Sequence, residues 1–93
     1  MQILKSQLGT AIKTLRAIKH PLRQEMMDYI EEQKSINVNS LVSKFALPQS
    51  VVSQQLAILR NASVVKAKRD GKQMFYSINT HKVEHIKELI SQF

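Results

Sequence analysis

Apolar residues along the chain recur first at helical spacing and then, past residue 63, at strand spacing. Ile3, Leu4, Leu8, Ala11, Ile12, Leu15 and Ile18 fall three or four residues apart, the stripe of an amphipathic helix over residues 2–18. Gly9 within it weakens the helix by about 1 kcal/mol relative to Ala. Pro21 suits a first helical position, and early Glu25 and Asp28 favour the positive end of a helix running to about Glu32 with Leu22, Met26, Tyr29 and Ile30 inward. Ile36-Asn37-Val38 is a short extended piece. Asn37 has the side chain to cap a third helix over residues 38–45, which turns Val38, Leu41, Val42 and Phe45 inward. Ala46-Leu47 makes a tight connection, and Pro48 restarts the chain as a fourth helix, about 48–62, burying Val52, Leu56 and Leu59. Residues 64–68 and 73–78 are β-prone runs around Arg69-Asp70-Gly71-Lys72. Asp-Gly between such runs predicts a hairpin with a type I′ turn, which needs positive φ at both central residues. Val65 and Ala67 then share a face, as do Met74, Tyr76 and Ile78. Thr80 caps a last helix, 81–93, with Val83, Ile86, Leu89, Ile90 and Phe93 apolar. The expectation is a mainly α fold with a small β-hairpin (α+β).

Composition narrows what this arrangement does. The chain has 93 residues, the scale of one domain, with 43% hydrophobic content, too much for a disordered basic tail. It has no cysteine, so disulfides, thiolate catalysis and Cys-built metal sites are excluded. No apolar run approaches a membrane span and no signal-peptide pattern opens the chain, so a cytoplasmic location is expected. A thin core in so short a chain makes oligomerisation natural. The net charge of +7 is unevenly spread. Lys5, Lys13, Arg16 and Lys19 make the first helix basic, and the second is acidic. Arg60, Lys66, Lys68, Arg69 and Lys72 surround the hairpin against one Asp70.

The fourth helix has an outer face of Gln49, Ser50, Ser53, Gln54 and Ala57, small and amide-rich, uncharged until Arg60. Amides and hydroxyls donate to and accept from base edges, and small side chains permit close approach in the major groove. A basic hairpin beside such a helix tracks phosphates or enters the adjacent minor groove. Either feature alone is ordinary protein surface. In this order they describe a winged helix-turn-helix, with the helix-turn-helix at 38–62 and the wing at 64–78, binding double-stranded DNA. The site residues are Gln49, Ser50, Ser53 and Gln54 for bases and nearby phosphates, and Arg60, Lys66, Lys68, Arg69 and Lys72 for phosphates, with Arg69 at the wing tip.

Three segments resemble the ArsR/SmtB family of bacterial winged-helix repressors. His20-Pro21-Leu22-Arg23 matches its [D/H]-P-x-R. Residues 47–60, LPQSVVSQQLAILR, are similar to its recognition segment L-S-Q-S-T-V-S-H-H-L-x-x-L-R. Residues 64–78 resemble its wing, which typically ends in Y-Y-x-L. The resemblance covers about two-thirds of the chain. It implies a homodimer built from the first and last helices (1–19 and 80–93), on a palindromic operator, repressing transcription until a signal relieves it. Candidate dimer contacts are then Leu4, Leu8, Ile12 and Leu15 with Ile86, Leu89, Ile90 and Phe93. The sequence departs from the family pattern at Pro48, which replaces a capping Ser, at Ala46 and Ser63, which replace helix-end glycines, and at Gln54-Gln55, which replace a His pair.

The family's metal sites are largely missing. Its third-helix pattern L-C-V-[C/G]-D-L reads Ile36-Asn37-Val38-Asn39-Ser40-Leu41, and neutral Asn is a poor ligand for soft metals. Its last-helix site, D-x-H followed by H-x-x-[E/H], meets only His81; His81 and His85 are residual candidates. His81-Lys82-Val83-Glu84-His85 spells the H-x-x-E-H of a metalloprotease class, but no substrate cleft or third ligand accompanies it. No nucleophile–base order, Gly-rich phosphate loop or apolar carboxylate pair appears, so no catalysis or cofactor is expected. A winged-helix module holding an acidic protein is the competing class. Single-strand binding lacks its stacking platform, since aromatics are 5% of residues and none lies on the proposed recognition face.

Overall fold

A computed structural model describes residues 5–91. Its elements are α1 (Lys5–Ile18), α2 (Pro21–Gln33), β1 (Ile36–Asn37), α3 (Val38–Phe45), α4 (Gln49–Asn61), β2 (Val65–Asp70), β3 (Gln73–Ile78) and α5 (Thr80–Ser91). The core is drawn from the apolar stripes of α2, α3 and α4 with the start of β2, whereas in the α1 stripe Ile12 is exposed and Leu15 and Ile18 are half-buried. Met26, Ile30, Leu41, Val52, Leu56, Leu59 and Val64 are fully enclosed, and Ala17 joins them from α1. Each side chain of this size adds roughly 1.5–3 kcal/mol on burial. Ile86 and Leu89 form a second, small cluster, and α5 lies against α1.

The sheet has three strands where the sequence predicts a hairpin. Its order is β1-β3-β2, and β1 pairs antiparallel with β3 through Ile36–Tyr76 and Asn37–Phe75. A second correction concerns the turn. Asp70 pairs with Gln73, so β2 continues through Arg69 and Asp70, and Gly71-Lys72 is the two-residue connection. Gly71 has φ 64°, whereas Asp70 and Lys72 stay at negative φ. Glycine at the first central position marks a type II′ turn in place of the expected I′.

Helix ends complete the scaffold. Asn37 caps α3 as expected, its side-chain oxygen accepting from the Ser40 N–H at 2.9 Å. At α5 the capping oxygen belongs to Asn79, which accepts from Lys82 N–H at 3.3 Å, one residue before the expected Thr80. Asn79 also donates from its side chain to the Ser63 carbonyl at 2.8 Å and from its backbone to that of Val64 at 2.8 Å, joining the start of α5 to the end of α4. Pro48 precedes α4 with no side-chain cap, and Ala46 ends α3 in the left-handed region at φ 53°. Ser63, at φ 64°, closes α4. Its N–H donates to Arg60 O at 2.9 Å and the Val64 N–H to Leu59 O at 3.2 Å, the paired bonds of a Schellman motif.

Candidate nucleic-acid interface

Helix α4 is anchored from behind and bare in front. Val52, Leu56 and Leu59 are buried on one side, while Gln49, Ser50, Ser53, Gln54, Ala57 and Arg60 are exposed on the other. Thirteen residues give an axis of about 20 Å, enough to lie along a major groove. Gln55 does not belong to that face. It is half-buried, and its Oε1 accepts from Arg23 Nη1 at 3.1 Å. Arg23 Nε donates in turn to the Ala17 carbonyl at 2.6 Å. One guanidinium on α2 thus ties the end of α1 to the middle of α4. Sequence periodicity could not reveal a bridge between residues 32 positions apart; Arg23 figured there only as part of a motif.

The wing divides its cations between two faces. Cross-strand partners point the same way, so Lys66 with Ser77 and Lys68 with Phe75 share one face. Arg69 with Met74 lies on the other, in line with Ala67, Tyr76 and the buried Val65. All of Lys66, Lys68, Arg69 and Lys72 are exposed. The turn end meets the start of α4: Gln49, Lys72, Gln73, Asn37 and Asn39 line one cleft of about 230 Å³. Asn37 donates across it to Gln73 Oε1 at 2.8 Å. Arg60 sits about 16 Å along the α4 axis from Gln49 and is not gathered with the turn residues.

Helix α3 adds a polar surface that the sequence reading missed. Asn39, Ser40, Ser43 and Lys44 are exposed and line a cleft of about 500 Å³ with Tyr29 and Asn37. The Lys44 ammonium lies 5.2 Å from the Tyr29 ring centroid, and Phe45 meets that ring edge-on at 6.0 Å. The signal was available, since these residues repeat the small polar pattern that singled out α4.

The other candidates are dispersed. His81 and His85 are exposed on α5, and among the described residues no three His, Cys, Asp or Glu side chains gather to hold a metal. Ile12 is the exposed large hydrophobic residue of the described chain, at 42%, and Leu15 is half-buried. Ile86 and Leu89 are already covered within the protomer. Leu4 and Phe93 lie outside the described residues, as do the side chains of Leu8 and Ile90. No described helix is long and apolar enough to cross a membrane.

Comparison with known proteins supplies the context for this geometry. The family model for bacterial regulatory proteins of the arsR family matches residues 20–67, from the start of α2 into β2. The transcriptional repressor PagR of Bacillus anthracis is 38% identical over 77 residues, covering 83% of this chain and 77% of PagR. Its crystal structure superposes with a TM-score of 0.78 at 34% identity, over 94% of this chain and 99% of that one. The repressor SmtB of Mycobacterium tuberculosis is 35% identical over 79 residues, 85% of this chain, which spans 58% of SmtB. An ArsR-like regulator from Rhodococcus sp. RHA1 shares the fold at a TM-score of 0.85 and 11% identity, over 94% of this chain and 81% of that one.

Proposed function

This chain belongs to the ArsR family of bacterial regulatory proteins and is a DNA-binding transcriptional repressor, not an enzyme; we propose that it acts in the cytoplasm as a homodimer on an imperfect palindrome. The observation that carries the reading is the face of α4, an uncharged row of Gln49, Ser50, Ser53 and Gln54 held outward by three buried residues behind it. These side chains contact base edges and nearby phosphates. Lys72 and Arg69 approach the backbone at the wing turn, Lys66 and Lys68 along its other face, and Arg60 at the far end of the helix. Lys44 on α3 joins them as a phosphate contact. The dimer forms through α1 and α5. A two-fold axis then spaces the two half-sites about 34–36 Å apart. We assign the protein no metal or other cofactor.

Selection of bound sequences from random duplex DNA at two salt concentrations tests this. The expected result is a two-fold symmetric motif with half-sites one helical turn apart. If each protomer neutralises about four phosphates, the slope of log affinity against log salt is near −7. A slope shallower than about −2, or no enriched motif, defeats the reading.

A further inference from the structure

A cleft of about 420 Å³ opens between α1, the start of α2 and the C-terminal end of α4. Ile12, Ala17, Ile58 and Ala62 supply its apolar surface, and Lys13, Arg16 and Arg23 bring three cations to it. Among the described residues no carboxylate lines it. Among the described residues the ion pair present is Lys87 with Glu84, so no described acid neutralises the three cations. The volume lies within the range of small-molecule sites, which are mostly apolar with a few polar groups that orient the ligand. Arg23 is half-buried, and of its five N–H donors two are engaged, by Ala17 O and Gln55 Oε1, which leaves three for a ligand.

We propose that this cleft binds a small amphipathic organic anion, its carboxylate or phosphate held by Arg23, Arg16 and Lys13 and its apolar body lying against Ile12 and Ile58. Like-charged side chains around an apolar floor suit a negative head on an apolar body, and suit neither a neutral hydrocarbon nor a bare ion. The occupant shares Arg23 with Gln55. An anion that draws the guanidinium toward itself weakens the one side-chain bridge between α2 and the recognition helix, so occupancy lowers affinity for the operator. That consequence rests on the repressor reading above, whereas binding to the cleft does not.

The test is an NMR titration of the whole protein, without DNA, using octanoate as the probe and acetate and octan-1-ol as comparisons. Octanoate is expected to shift the Ile58 and Asn61 amides and the Gln55 side-chain amide, and to bind about tenfold or more tighter than either comparison. The double variant Lys13→Gln/Arg16→Gln, altered only at exposed positions, loses about tenfold in affinity. Gly9→Leu narrows the cleft and is expected to do the same, since a Cβ there meets nothing within 4 Å and the helix gains propensity. Equal binding of octan-1-ol, unchanged affinity in both variants, or no saturation up to about 10 mM overturns the site. Octanoate that binds as expected and leaves duplex affinity unchanged overturns the coupling alone.

Discussion

Replacing Ser63 with glycine is expected to stabilise the protein by relieving strain at the junction between the recognition helix and the wing. Ser63 sits at φ 64°, where a Cβ costs roughly 1–2 kcal/mol. Its contacts are made by the backbone: the N–H donates to Arg60 O, and the carbonyl accepts from Asn79. The side chain is exposed, so glycine keeps every bond of the motif and removes only the strain. Against that gain stands the extra freedom glycine gives the unfolded chain, roughly 0.4–1 kcal/mol. The net is a stabilisation of about 0.5–1 kcal/mol, and a domain of this size gains about 4–8 °C in Tm per kcal/mol. Thermal unfolding followed by circular dichroism, at one protein concentration, should therefore show a rise of about 2–8 °C for Ser63→Gly. Ser63→Ala keeps the Cβ and should shift Tm little. A glycine variant no more stable than wild type, or an alanine variant equally stabilised, refutes the strain argument.

Three further substitutions probe the interface and its scaffold. Lys68→Ala with Arg69→Ala removes the two phosphate contacts per protomer proposed for these residues, so the salt slope for the proposed dimer should become shallower by about 3–4 units while sequence preference is retained, as read by fluorescence anisotropy across salt. Gln54→Ala should lower affinity for the selected operator by about 1–3 kcal/mol and leave random-duplex affinity nearly unchanged in competition binding. Asn79→Ala removes the α5 cap and the tie to Ser63, and should cost about 0.5–2 kcal/mol in denaturant unfolding.

The helices were legible because their stripes are long and their boundary residues chemically distinct. Pro21 and Asn37 start α2 and α3 where the sequence places them, and Val52, Leu56 and Leu59 are inward as spaced. What escaped was decided by competition or by distance. Two residues of β1 are too few to show a period, and they are strand only because Tyr76 and Phe75 pair with them. Asn79 and Thr80 are both good caps, and Asn79 prevails because its amide also reaches Ser63. The hairpin error moved the turn by one residue, which moves each cross-strand partner by two. An even shift leaves every side chain on its own face, so Val65 stays with Ala67, and Met74 with Tyr76 and Ile78, while the pairing changes. The outward face of α4 was readable for the same reason, a local period. The bridges Arg23–Gln55 and Asn37–Gln73 span 32 and 36 residues, and no local pattern carries them.

Those two bridges organise the interface more than the charge does. Where the family resemblance implies a thiolate, Asn37 caps α3 with its oxygen and holds Gln73 of the wing with its nitrogen. Both ends of the side chain are thus engaged in holding helix and wing together. At the opposite end, Arg23 holds α4 against α1, the helix assigned to the dimer contact. The recognition helix is therefore steadied against the wing side through α3 and against the dimer side through one guanidinium with three donors to spare. Of the two, Arg23 borders the cleft that sets two further cations, Lys13 and Arg16, beside the apolar Ile12 and Ile58. A chain without cysteine can still couple a chemical signal to its grip on DNA, provided the signal is an anion and arrives at Arg23.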